Sequence, residues 1–338
     1  MSVTTEDLQR YAMSERFRYA LDIPDKAELE FELLGQGEYN INYAFTHPAS
    51  GKRLVFRLNT GSQMNLPNQI GYEYRALRLL EPSGRTPRAY YVDGSRELLD
   101  EGVLVMEFLP GRALDYHSDL ELAAECLADI HKTPWQASDL ICPNDPLKAM
   151  LDECRQMAGA YLGSELGDSG VKAVLERFVE HAARLISSDV QMPRRIINTE
   201  LNSGNFLING PGRDNYLIDW EKPILGEAAQ DLGHFLAPTT TLWKTDVLLT
   251  VEQKKRFLRQ YLSCRPDISP EILYRRTALY ETMTCLRGIT WCAMAWVEYQ
   301  APDRPIKNAD TYRKILSYLG ADFLSWLWKN YFARGEGE

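Results

Sequence analysis

Residues 196–221 read IINTELNSGNFLINGPGRDNYLIDWE and set Glu200, Asn202, Asn205 and Asp219 on two polar loops. The apolar runs FLI and YLI between those loops read as short strands. A carboxylate, an amide five residues later and an aspartate ending a hairpin strand are the parts that phosphoryl transfer requires. The first can orient an acceptor hydroxyl, and the other two supply hard oxygen ligands that hold Mg2+ against the phosphates of ATP. Ordinary turns are built from the same residue types, so this segment alone leaves both readings open.

Other candidates are spread along the chain. LGQGEYNINYAF (Leu34 to Phe45) carries Gly35, Gly37 and Asn40, where backbone N–H groups and a small polar side chain can cradle anionic oxygens. A lone GxG is equally a tight turn. VLVMEFLPG (Val103 to Gly111) offers an apolar slot with main-chain groups at Glu107 to Leu109, which suits a purine as well as it suits a plain edge strand. LRGITWCAMAWVEYQ (Leu286 to Gln300) places Trp291, Trp296, Glu298 and Tyr299 on one predicted helix, with Trp291 and Tyr299 sharing a face. Aromatics with a carboxylate can hold a cationic amine, and the same residues can be a core helix. His131 and His234 stand alone in apolar helical segments and read as structural. There is no HxxxH pair, no Cys/His cluster and no GxSxG, so zinc chemistry and a serine-hydrolase elbow have no support.

The elements that must position these groups follow from patterning. The chain has 338 residues, which at roughly 150 residues per domain corresponds to about two domain-sized bodies. It is 45% hydrophobic and 25% charged, a composition that forms a buried core and excludes a disordered chain. The net charge of -9, without a run of five like charges, excludes the basic footprint of a duplex nucleic-acid binder. MSVTTEDLQRYAMSERF lacks an apolar signal core, and no 18-residue uncharged apolar stretch exists, so a cytoplasmic protein with no membrane span is expected. Cys126, Cys142, Cys154, Cys264, Cys285 and Cys292 are scattered, which fits reduced thiols. Alternation predicts strands over 28–35, 39–46, 54–59, 89–92 and 102–108, with a helix over 72–81. After Pro110-Gly111 helical patterns dominate, starting behind a Ser118/Glu121 capping box and continuing behind Thr250/Gln253 and Ser269-Pro270. The expected fold class is α+β: a small antiparallel-sheet lobe over 1–109, with a short helical extension at 1–24, and a large helical lobe over 110–338.

In order and spacing, residues 28–300 resemble the aminoglycoside phosphotransferase and choline kinase group of protein-kinase-like folds. The catalytic loop of that group usually reads HGDLHPGN, followed by a strand and IDW or IDF with an acidic residue. Here NTELNSGN (Asn198 to Asn205) aligns without a gap and IDWE (Ile218 to Glu221) follows. The resemblance implies that Glu200 stands for the aspartate that orients the acceptor, and that Asn205 and Asp219 are the Mg2+ ligands. It further implies that Gly35, Gly37 and Asn40 fold over the phosphates, that Arg57 contacts them and pairs with Glu73, and that Glu107 to Leu109 bind the adenine edge. Asp231 would anchor the catalytic loop. Trp291, Glu298 and Tyr299 would face the acceptor, a small-molecule alcohol, with a cationic amine fitting the acidic chain. The departure lies in HGD: Glu200 adds a methylene, moving its oxygens by about 1–1.5 Å, and displacement on that scale can cost around a hundredfold in rate. Three functions follow as expectations: an ATP- and Mg-dependent small-molecule kinase, a nucleotide-binding pseudokinase with a regulatory or scaffold role, and a nucleotidyl transferase.

Overall fold

The computed structural model describes residues 3–37, 39–62, 64–136, 138–186, 191–301 and 308–333. In chain order the elements open with α1 (Thr5–Ala12), α2 (Glu15–Ala20), β1 (Glu32–Gln36), β2 (Asn40–Thr46), β3 (Arg53–Asn59) and α3 (Gln69–Leu80). Next come β4 (Ala89–Asp93), β5 (Gly102–Glu107), α4 (Leu120–Ile130), α5 (Pro146–Leu162) and α6 (Ser169–Leu185). Four short strands follow: β6 (Arg194–Ile197), β7 (Phe206–Leu207), β8 (Tyr216–Leu217) and β9 (Ile224–Glu227). The chain closes with α7 (Ala228–Leu236), α8 (Pro238–Lys244), α9 (Val251–Cys264), α10 (Pro270–Gln300), α11 (Ala309–Leu319) and α12 (Ala321–Leu327). Two compact units result. The first is Met1–Asp115 with Leu122–Ile141 and Gly204–Ile224; the second is Tyr116–Glu121, Cys142–Ser203 and Leu225–Glu338.

In the first unit the five strands pair antiparallel in the order β1-β2-β3-β5-β4. The alternation that predicts a strand over 28–35 overshoots, because the ladder begins at Glu32. Leu29 and Phe31 instead pack into an apolar cluster with Tyr11, Phe17, Phe45 and Phe56, and the Leu29 carbonyl accepts the Gln9 side-chain amide at 2.6 Å. The Leu29 carbonyl is thereby used by α1 and not by a strand ladder. Thr4 and Asp7 form the capping box of α1, and the Tyr11 hydroxyl donates to Asp93 Oδ2 at 2.8 Å. The helix predicted over 72–81 starts three residues earlier, because the Asn68 side chain accepts the Gly71 N–H and caps it there. α4 starts at Leu120, not behind a Ser118 cap, and the Ser118 hydroxyl is spent on the Asp119 carboxylate.

The second unit is helical around α10, a 31-residue helix that packs against α5 and α7. Ser269 accepts the Ile272 N–H at its start and Pro270 occupies the first turn, while Thr250 and Gln253 complete the capping box of α9. α7 and α10 cross closely at Gly233, where an added Cβ would lie 2.6 Å from the Glu281 nitrogen. Beside this crossing Glu227, the residue before α7, is fully buried and clamped. Arg276 Nε donates to its Oε2 at 2.8 Å and Arg276 Nη2 to its Oε1 at 2.5 Å. The Tyr280 hydroxyl and the Met192 N–H complete its acceptor capacity, both at 3.1 Å. Among the described residues no helix is long and apolar enough to cross a membrane, and the cysteines are free, with Cys126, Cys154, Cys285 and Cys292 buried.

Removing one member of a buried, hydrogen-bonded ion pair strands the other. Arg276→Met should therefore cost about 3–5 kcal/mol, read by denaturant unfolding; a loss below about 1 kcal/mol, the range of exposed pairs, would contradict the clamp.

Candidate active site

In the first unit β3 carries Arg57 and α3 carries Glu73. Arg57 Nη1 donates to Glu73 Oε1 at 2.5 Å, and its Nε donates to Asn42 Oδ1 at 2.9 Å. Asn42 is available because it faces Arg57 across the β2–β3 register. The same Nη1 reaches Asp219 Oδ1 at 3.4 Å. The Arg57 and Glu73 side chains are 6% and 1% exposed, whereas Asp219 is 39% exposed, so the pair is buried and the aspartate is presented to solvent. The turn after β8 is tied to this centre from several sides. Gln69 donates its side-chain amide to the Glu221 carbonyl and the Tyr72 hydroxyl donates to the Pro223 carbonyl, both at 2.6 Å. Asn40 Nδ2 donates to Glu221 Oε2 at 2.5 Å, and Asn59 holds the Asn40 oxygen at 3.0 Å. Asn205 is tied to the residue before Asp219, since the Ile218 N–H donates to the Asn205 carbonyl at 2.8 Å. Asp219 itself takes a left-handed conformation, with φ 66°.

This arrangement gathers the carboxylates of Glu73, Asp219 and Glu221 around one guanidinium. Burial pushes the Glu73 carboxyl up to about 7 against the pull of Arg57. Burial also works against the Arg57 charge, but the surrounding carboxylates outweigh it and hold that group above its ordinary value. No group of three or more His, Cys, Asp or Glu residues capable of holding a metal occurs among the described residues. Mg2+ needs less, because it keeps waters and shares phosphate oxygens, taking one or two protein donors. The Asp219 carboxylate, exposed at the edge of this group of carboxylates, is a hard oxygen donor of that kind.

The Gly37 N–H donates to the Asn40 carbonyl at 2.8 Å, closing the turn between β1 and β2. Neither Gly35 nor Gly37 has a positive φ, and an added Cβ at Gly35 would meet nothing within 4 Å. Neither glycine is required by the backbone conformation of this segment. At the end of β5 the Glu107 N–H goes to the Arg88 carbonyl at 2.8 Å and the Phe108 N–H to the Arg53 carbonyl at 3.4 Å. Leu109 follows, half-buried, before Pro110.

In the second unit the loop after β6 hangs on Asp231 of α7. Its carboxylate accepts the Asn198 N–H at 2.9 Å and the Thr199 N–H at 2.8 Å, and the Asn198 side-chain oxygen accepts the Glu200 N–H at 3.1 Å. Glu200 is thereby presented on a tightly bonded turn. Arg287 of α10 lies 3.6 Å from Glu200 Oε1 and is forked onto Glu153 of α5 at 3.0–3.2 Å. Sequence reasoning missed Arg287 and Glu153, and in the first unit Asn42, Gln69 and Glu221. The available signals were a lone arginine inside an apolar stretch of α10 and the acidic end of IDWE. Trp291 packs edge-on against Trp243, Glu298 is exposed, and Tyr299 is buried with its ring stacked on Tyr312. Arg287, Trp291, Met294 and Glu298 recur every three or four residues and are incompletely buried, whereas Tyr299 is buried. His131 is buried just beyond the end of α4, and His234 is half-buried in α7.

The sequence matches the model of the phosphotransferase enzyme family over residues 30–280. The chain belongs to that family. Its structure is similar to ethanolamine kinase from Plasmodium vivax (TM-score 0.66, 16% identity, covering 94% of this chain and 88% of that one). Choline kinase from Cryptosporidium parvum Iowa II aligns at a TM-score of 0.66 and 15% identity over 98% and 97% of the two chains. A spectinomycin phosphotransferase, solved with ADP and spectinomycin, aligns at 0.64 and 13% identity over 98% and 99%. No curated protein matches the sequence. The fold is thus the protein-kinase-like fold that the sequence implies, with its antiparallel sheet and helical body.

Thr199 stands where the family motif carries glycine, and its φ is 73°. A β-branched residue in the left-handed region is strained by about 1–3 kcal/mol. Thr199→Gly should consequently raise stability, by about 1 kcal/mol once the extra backbone entropy of glycine is subtracted, in thermal or denaturant unfolding. A clear loss of stability would mean that Thr199 is not strained.

Proposed function

We propose that this protein transfers the γ-phosphoryl group of Mg-ATP to a hydroxyl of a small molecule. The observation that carries the reading is the buried Arg57–Glu73 pair with Asp219 at its exposed edge, a fixed positive charge beside a projecting carboxylate. Arg57 would meet the α- and β-phosphates, with the main chain around Gly35 and Gly37 and the Asn40 side chain lying over the phosphates. The main chain from Glu107 to Leu109 would receive the adenine edge. On this reading residues 1–109 bind the nucleotide and residues 110–338 supply the catalytic loop and the acceptor site. Asn205 and Asp219 would hold Mg2+, which when bound neutralises the charge that develops on the phosphates.

Glu200 would accept the hydrogen bond of the acceptor hydroxyl. As that oxygen bonds to the γ-phosphorus, the bond from the γ-phosphorus to the β–γ bridging oxygen breaks, the hydroxyl proton passes to Glu200, and ADP leaves. Such sites work by positioning and charge stabilisation, which rigid donors supply without reorganisation. The named neighbours act on ethanolamine, choline and spectinomycin, and an amine-bearing alcohol also suits the acidity of this chain. Trp291 and Glu298, both incompletely buried on α10, are the side chains we assign to such an acceptor. Tyr299 would enter only by supporting that helix through Tyr312. Family membership favours this enzyme over the regulatory nucleotide-binding module.

The test is product formation from Mg-ATP across a library of amines, amino sugars and other alcohols, followed by mass. Asp219→Ala should lower turnover by at least about 10²-fold, and Glu200→Gln should do the same while leaving ATP binding in place. Full activity of Asp219→Ala would overturn the assignment.

A further inference from the structure

Glu200 occupies an aspartate position and so carries its carboxylate one methylene further from the backbone. A longer side chain has an additional torsion to restrain, and an unrestrained carboxylate would spend much of its time away from the acceptor oxygen. The second unit contains a restraint for it. Arg287, 20% exposed, has Nη2 3.6 Å from Glu200 Oε1, an ion-pair distance, and is itself held by Glu153. Arg287 Nε reaches both Glu153 oxygens, at 3.2 and 3.1 Å, and Nη2 reaches Oε1 at 3.0 Å. A planar guanidinium forked onto one carboxylate has a fixed direction for its remaining N–H groups. α5 and α10, which carry Glu153 and Arg287, pack directly on each other, so the fork rests on helices.

We infer that Arg287, oriented by Glu153, is the positioning residue that holds the Glu200 carboxylate in place for the acceptor hydroxyl. The inference rests on the phosphotransfer reading above. Burial alone would weaken the Arg287 charge, but Glu153 and Glu200 outweigh it and raise that group above its ordinary value. The nearby Cys154 thiol is pushed up to about 12 by burial and stays neutral across the working range. Asp231 is committed to the backbone N–H groups of Asn198 and Thr199.

The cluster makes a prediction that a merely structural contact does not. Arg287→Met removes a cation and should raise the Glu200 titration by about one pH unit. Glu153→Gln removes a like charge and releases Arg287 toward Glu200, and should lower it. Selective 13C NMR of the Glu200 carboxyl, with Glu200→Gln identifying the signal, reads both shifts in the full-length protein without any substrate. With an acceptor in hand, Arg287→Met should lower kcat about tenfold or more while KM for ATP stays within about twofold, the pattern of lost transition-state positioning. The acidic limb of its rate profile should move up with the Glu200 titration, and Arg287→Lys should restore part of the rate. Opposite shifts in the two variants support the inference; a Glu200 signal unmoved in both, or an unchanged kcat in Arg287→Met, overturns it. Failure of the wild type to phosphorylate any alcohol would overturn the phosphotransfer reading instead, and the two titrations would still decide the cluster.

Discussion

Arg57 and Glu73 have both been taken out of water, and the Arg57 charge is held there by the carboxylates gathered around it. That arrangement explains much of the first unit. β2 and β3 must run in the register that puts Asn42 beside Arg57, and α3 must start early enough for Gln69, Tyr72 and Glu73 to face one way. Gln69 and Tyr72 then hold the backbone that follows Asp219, so the helix that supplies the buried carboxylate also fixes the exposed one. The guanidinium is shared unequally: Glu73 takes the short contact, and Asp219 takes a longer one and stays accessible to a ligand.

The second unit solves a related problem with backbone instead of charge. Asp231 spends its carboxylate on two consecutive N–H groups, holding Thr199 in a conformation it would otherwise avoid, and Asn198 spends its amide oxygen on the third. The loop is thus held by neutral and charge-assisted hydrogen bonds where its family carries a histidine and a glycine. The segment after it contributes Asn205 and Asp219 to the other unit, so one run of about twenty residues serves both.

Much of this was legible beforehand because it is local. The capping residues at Thr250 and Ser269, the alternation along β2, β3 and β5, and the oxygen donors around IDWE all declare themselves within a few positions. What was not legible depends on elements far apart in the chain. Residues 28–31 alternate like a strand, yet the Leu29 carbonyl is used by α1 and not by a strand ladder. Trp291 and Tyr299 share a helix face by spacing, yet Tyr299 is covered by Tyr312 from α11, which no periodicity within α10 announces. Arg287 drew no attention because its meaning lies in Glu153 and Glu200, 134 and 87 positions away.

We propose that the centre formed by Arg57, Glu73 and Asp219 binds phosphate together with a divalent cation. Calorimetric titration of the protein with ADP, with and without Mg2+, tests it directly and needs no acceptor. Mg2+ should tighten ADP binding by about tenfold or more, the value of roughly 1.4 kcal/mol of added interaction, and Asp219→Asn should abolish that gain while leaving metal-free binding nearly unchanged. Equal affinity with and without Mg2+, or a gain that survives in Asp219→Asn, would rule out such a site.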